Sequence, residues 1–203
     1  MDALLEGYRR FRVGAWPGRR RLFEHLAETG QCPHAMVIAC ADSRVDPAMV
    51  FDTGPGEIFV VRNVANLVPP YAPDGGAHGT SAALEFGVLS LQVRDLVVLG
   101  HGLCGGIQAL LEGVPAPLGG FLGPWIGLAG RARARVLACA PADPQLAGEH
   151  AGIELSLENL LGFPWLAERV ADGRLRLHGA HFDVRSGILT LRQPGGGFAV
   201  VPP

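Results

Sequence analysis

The sequence predicts an α/β fold: a mostly parallel central sheet flanked by helices, with N-terminal helices and an antiparallel C-terminal edge strand. Three observations lead there. The short apolar runs Ala35–Ala39, Glu57–Val61 and Asp95–Leu99 are the type expected of strands covered on both faces. Between the second and third, Thr80–Leu91 sets Leu84, Val88 and Leu91 along one helical stripe, suited to a crossover connection. The chain has 203 residues and 48% hydrophobic content, enough for one well-buried core. A single domain over residues 1–203 follows, with residues 1–30 as a helical arm.

Along the chain, Leu4, Leu5, Tyr8 and Phe11, then Leu22, Phe23 and Leu26, fall at helical spacing. The break at Trp16-Pro17 divides them into two expected helices. The three strands and the crossover come next. Helical segments are expected after Leu103, around Phe121–Ala140 and over Gln145–Val170, the last broken at Phe163-Pro164. Arg174–His178 and Gly187–Arg192 alternate in polarity and are expected to form strands joined by a hairpin near Ser186-Gly187. There is no internal repeat, and the Pro/Gly-rich patches are turns rather than boundaries.

Composition excludes several classes of function. The formal charge is −2, and all 17 basic residues are arginines, scattered apart from Arg19–Arg21 and the alternating Arg131, Arg133 and Arg135. No nucleic-acid footprint follows. The longest uncharged run, Gly113–Gly130, carries several Pro and Gly residues that would break a lipid-exposed helix, so no membrane partner is expected. The N-terminus has an early acid and no long apolar core, which argues against a secretory signal. The four cysteines, Cys32, Cys40, Cys104 and Cys139, are then expected to be reduced thiols in a cytoplasmic protein.

The chemistry concentrates at Gly100-His-Gly-Leu-Cys-Gly105, which admits two readings. It satisfies the dinucleotide pattern G-x-G-x-x-G, and it also presents His101 and Cys104 as an i, i+3 ligand pair for zinc. A dinucleotide site needs a second strand ending in an acidic residue about 20 positions on. Here that region is Val114-Pro-Ala-Pro-Leu-Gly-Gly, and Glu112 comes too early. The metal reading finds further ligand types in Cys40-Ala-Asp-Ser-Arg44, which leaves the first strand as the glycine loop leaves the third. Cys40, Asp42, His101 and Cys104 would therefore meet at the carboxyl edge of a parallel sheet, where crevices form. Two thiolates and an imidazole suit zinc in softness, and a fourth position held by water or carboxylate would complete the site.

These segments carry a family resemblance. Cys40–Pro47, Gly56–Pro70 and Gly100–Gly106 resemble the signature segments of the β-class carbonic anhydrases, and the helical start, Ser156–Leu160 and the final strands follow in family order. The resemblance implies a lyase that converts carbon dioxide to bicarbonate and a proton by zinc-bound hydroxide, with one zinc per chain. It implies Cys40, His101 and Cys104 as zinc ligands, with Asp42 and Arg44 as a carboxylate–guanidinium pair that opens or closes the fourth position. It implies Gly105 as a backbone donor to substrate, Gln31 as a substrate-orienting residue, and Phe59 and Val64 as pocket walls. Phe86 stands where tyrosine is common and still supplies a ring. It further implies self-association as a dimer or tetramer.

An apolar slot of Phe59, Val64 and Phe86 suits a small linear substrate that needs no charged clamp. Two other functions share these residues: a zinc hydrolase of carbon disulfide or carbonyl sulfide, and a non-catalytic zinc-stabilised interaction protein whose fourth position is closed by Asp42. Cys32, Cys139, His34, His78 and His181 are given no role.

Overall fold

The apolar runs become the centre of a six-stranded sheet in the computed structural model, which describes residues 1–202. The chain begins with α1 (Asp2–Arg10) and α2 (Trp16–Thr29), joined by a π-type turn at Phe11–Ala15. The arm is thus one helical run with a widened turn, not two separated helices. The reason is local: Pro17 has no N–H and its ring crowds the carbonyl of Val13, which lies inside that turn. Neither helix has a buried residue, and Leu4, Leu5, Tyr8, Val13 and Leu22 are exposed.

Strand β1 (Ala35–Cys40) is followed by α3 (Pro47–Val50), β2 (Ile58–Asn63), α4 (Gly79–Glu85) and β3 (Asp95–His101). Asp46 caps α3 by accepting from the Ala48 N–H, with Pro47 at the first position, where its missing donor costs nothing. Helices α5 (Gly105–Glu112), α6 (Leu122–Gly127), α7 (Gly130–Cys139), α8 (Pro144–Leu160) and α9 (Pro164–Ala171) come next, then β4 (Arg176–Phe182), β5 (Leu189–Arg192) and β6 (Phe198–Val200). The sheet order is β2-β1-β3-β4-β5-β6. The first four strands are parallel, and β5 and β6 run antiparallel. The edge is therefore β6, one strand beyond the hairpin the sequence predicts. Three residues behind a run of glycines are too few to show alternation.

All of β1 is buried, and its side chains alternate between two cores. Met36 and Ile38 pack with Leu84, Ile153, Leu160 and Phe163 on the face covered by α4, α8 and α9. Val37 and Ala39 pack on the other face with Val45, Leu99, Ala180 and Phe182. Gly100 and Gly106, at the two ends of the glycine segment that leaves β3, serve close packing. A Cβ at Gly100 would lie 2.7 Å from Ile153 Cδ1 on α8, and one at Gly106 would lie 2.8 Å from Ala65 Cβ. The chain leaves β1 toward β2 on one side and returns to β3 on the other, so the switch point lies between the carboxyl ends of β1 and β3.

Candidate metal centre

Cys40 is the last residue of β1 and His101 the last of β3, so the parallel register delivers both to the switch point. Cys104 joins them through the tight turn Gly102-Leu103 and stands as the N-cap of α5. The Cys40 and Cys104 sulfurs are 3.9 Å apart. Two sulfurs about 2.3 Å from a tetrahedral zinc would be about 3.8 Å apart, so the spacing fits. One ligand atom from each of Cys40, His101 and Cys104 lies within 4.8 Å of the others, and all three residues are buried. His101 Nδ1 donates to the Gly102 carbonyl at 2.9 Å, which leaves Nε2 with its lone pair. That Nε2 is buried without a hydrogen-bond partner, an orphan that a metal ion would satisfy.

The two thiols titrate as a pair. The hydrogen bond from Cys104 lowers Cys40 to about 4, and the same bond together with burial raises Cys104. Burial works against charge on His101, yet the neighbouring Cys40 sulfur and the Asp42 carboxylate leave its pKa raised. Without a cation only one of the two thiols ionises readily, and a divalent ion held there would favour ionisation of the second.

Of the four ligands expected from sequence, three converge and the fourth is engaged beside them. Asp42 Oδ1 accepts from the Arg44 backbone N–H and from Nε, each at 2.9 Å, and Oδ2 accepts from Nη2 at 2.7 Å. These bonds hold the Asp42 carboxyl well below the usual carboxylate range, against a smaller opposing effect of burial. Oδ2 stays 3.9 Å from His101 Nε2. Arg44 also donates to the Leu103 carbonyl at 3.0 Å, which ties the β1 loop to the β3 loop. Arg62, on β2, braces the same loop by donating to the carbonyls of Cys40, Asp42 and Val45. Sequence reasoning passed over that role.

The remaining expected residues divide between the two ends of the strands. Val64 follows β2 at the metal end, where Asn63 pairs in register with Cys40, and its carbonyl accepts from Trp125 Nε1. It lines an apolar cavity of about 940 Å3 with Pro69, Pro70, Phe121, Leu122 and Trp125. Gly105 opens α5, so its N–H is among the helix's unpaired donors. Gln31, Phe59 and Phe86 do not join the centre of their own chain. Phe59 pairs with Met36, four residues from Cys40, or about 13 Å along a strand. Phe86 packs on Phe59 with ring centroids 5.8 Å apart. Gln31 is exposed and precedes the far end of β1, a strand about 16 Å long. Sequence order places these residues near the motifs but does not say at which end of the strand they sit.

Glu149 on α8 is the largest omission of the sequence reading. It is buried and accepts from the Cys104 N–H at 3.1 Å. Its signal was an acidic residue on the otherwise buried stripe Glu149, Ile153, Ser156 and Leu160.

Known proteins agree with this geometry. The family model for carbonic anhydrase matches residues 35–189. β carbonic anhydrase 5, chloroplastic, of Arabidopsis thaliana is 45% identical over 79% of this chain, which spans 55% of that protein. The carbonic anhydrase of Pseudomonas aeruginosa is 40% identical over 92% of this chain and 85% of its own length. The solved β-carbonic anhydrase CcaA superposes with a TM-score of 0.93 at 30% identity, covering 100% of this chain and 92% of that one. Two tetrameric β-carbonic anhydrases of the ascomycete Sordaria macrospora are represented at a TM-score of 0.81 and 27% identity, covering 94% and 95%. With its donor cluster, fold and relatives in agreement, the chain belongs to the carbonic anhydrase family of enzymes, in its β class.

Proposed function

We propose that this chain catalyses the reversible hydration of carbon dioxide to bicarbonate and a proton, with one zinc ion per chain held by Cys40, His101 and Cys104. The observation that carries the reading is the buried, unpartnered His101 Nε2 facing two thiols at tetrahedral spacing. Zinc bound there supplies Lewis acidity that brings the pKa of a water ligand toward neutrality. The chain's own residues do the rest. Asp42, kept ionised by Arg44, offers a carboxylate oxygen beside the centre as a hydrogen-bond acceptor. The Gly105 N–H, at the positive end of α5, offers a donor to the oxyanion of the product. Val64 provides an apolar wall for the substrate. The interaction-protein reading requires Asp42 on the metal, and its pairing with Arg44 favours catalysis instead.

Gln31, Phe59 and Phe86 can serve a centre only across a subunit boundary, given the strand length that separates them from their own. Residues 1–203 then act as one domain that self-associates as a dimer or tetramer, with the arm of residues 1–30 as part of the contact. The exposed Leu4, Leu5 and Tyr8 of the arm and the exposed Phe121 beside the apolar cavity support this. Light scattering at micromolar concentration is expected to show a dimer or tetramer; a stable monomer with full turnover would contradict it. No helix among the described residues is long and apolar enough to cross a membrane. The unpaired thiols Cys32 and Cys139 favour a reducing compartment, for which the cytoplasm is our proposal.

The test is stopped-flow hydration of carbon dioxide on zinc-quantified protein, with carbon disulfide and carbonyl sulfide assayed in parallel. Turnover of carbon dioxide that scales with zinc is expected. Turnover of the sulfur compounds alone would reassign the substrate, and stoichiometric zinc without any turnover would leave a binding protein.

A further inference from the structure

A concentration of buried polar side chains lies against the backbone of Cys104. Glu149 is 3% exposed and His181, on β4, 4%. Glu149 Oε1 accepts from the Cys104 N–H at 3.1 Å and from Gln145 Nε2 at 2.7 Å. Gln145 Nε2 also donates to the Cys104 carbonyl at 3.1 Å. Glu149 Oε2 accepts from His181 Nε2 at 2.8 Å. Both backbone groups of Cys104 are therefore held by two side chains one turn apart on α8, and the third residue anchors the carboxylate to the sheet.

This arrangement is costly to build, because it takes a carboxylate out of water. Glu149 lies on a stripe where Ile153 and Leu160 pack fully buried, and a carboxylate there must have its oxygens satisfied. The turn it supports needs the help. Leu103, a non-glycine residue, has φ 58°, and Cys104 is an N-cap whose side chain makes no cap hydrogen bond. Such a conformation persists only where the surroundings over-determine it. Arg44 holds the turn at the Leu103 carbonyl, and Glu149 holds it at the Cys104 N–H.

We propose that Glu149, with Gln145 and His181, is a positioning device that fixes the backbone from which Cys104 presents its sulfur to the metal. The inference rests on the zinc reading above. A metal site tolerates ligand displacements of only about 0.2 Å, and residues that orient ligands typically account for about 10–100-fold in affinity or activity.

The test compares wild type with Glu149→Ala, Glu149→Gln and Gln145→Ala by zinc competition against a chelator and by the absorption spectrum of the cobalt(II) form. Circular dichroism and size are monitored throughout. Glu149→Ala is expected to weaken zinc about 10–100-fold and to alter the thiolate-to-cobalt and ligand-field bands. Glu149→Gln, whose amide oxygen still accepts from the Cys104 N–H, is expected to recover most of both. Gln145→Ala, at a partly exposed position, is expected to fall between them and carries the test if Glu149→Ala does not fold. Wild-type affinity and spectrum in the folded alanine variants would overturn the proposal, as would Glu149→Gln behaving like Glu149→Ala. Failure of the wild-type protein to take up zinc or cobalt would instead overturn the zinc reading, and this proposal with it.

Discussion

Replacing Cys40 or Cys104 by serine is expected to strip the protein of zinc and of most of its turnover, and to lower its thermal stability. Each substitution removes one of three convergent donors and leaves His101 Nε2 buried with nothing to satisfy it. A ligand present at a hundred times its Kd adds about 2.7 kcal/mol to folding stability. For a domain of this size each kcal/mol moves Tm by about 2–4 °C, so a fall of about 5–10 °C is expected in zinc-containing buffer. Chelation of the wild-type protein should reproduce most of it. Because thiols and imidazole must shed protons to bind a metal, zinc content should also fall as pH is lowered. Metal analysis with thermal unfolding checks this, and stoichiometric zinc in both serine variants would refute it.

The second large effect is expected from Arg44→Ala: zinc retained, turnover reduced about a hundredfold or more. That is the scale for loss of a positioned catalytic group. The guanidinium contributes both Nε and Nη2 to Asp42 and also reaches Leu103, so its removal frees the carboxylate and loosens the join between the two ligand loops. The released carboxylate lies 3.9 Å from His101 Nε2 and has no better partner than the metal position. Lysine should rescue poorly, since it lacks the planar fork that engages both oxygens. The Asp42 pKa, held down by Arg44, should rise toward the ordinary carboxylate value in the variant. The stability this pairing contributes is present above the unfolded carboxyl pKa and lost as pH falls through the depressed one. In Arg44→Ala that contribution is largely absent, so the part of the acid-side fall in stability that it causes should be smaller than in the wild type. Zinc content, rate against pH and a crystal structure of the variant would decide; full zinc with an unchanged rate profile would refute the pairing role.

The core strands and the residues of the Cys40, His101 and Cys104 cluster were legible because both depend on local patterns. A continuous apolar run such as Ala35–Cys40 is what a strand buried on both faces needs, and Cys40, His101 and Cys104 carry soft donors just past such runs. The helix crossover was legible from spacing alone. The β6 strand and the π-type turn before Pro17 were not, because three residues are too few for a period and because a proline marks a strained turn without saying how the helix absorbs it.

By itself, then, the sequence indicated the fold class, the crossover between parallel strands and four candidate donors, of which the structure brings Cys40, His101 and Cys104 together. Only the tertiary structure decided which groups share a place. Asp42 has the chemistry of a ligand, but Arg44, two residues on, reaches both of its oxygens, a pairing that the loop geometry makes. Gln31, Phe59 and Phe86 follow the motif order, yet a strand about 16 Å long separates one end of the sheet from the other. Glu149 stands 45 residues from Cys104 and touches it only because α8 packs across the start of α5. Periodicity along a chain fixes faces; the ends of strands and the contacts between distant elements exist only once register and packing have been set.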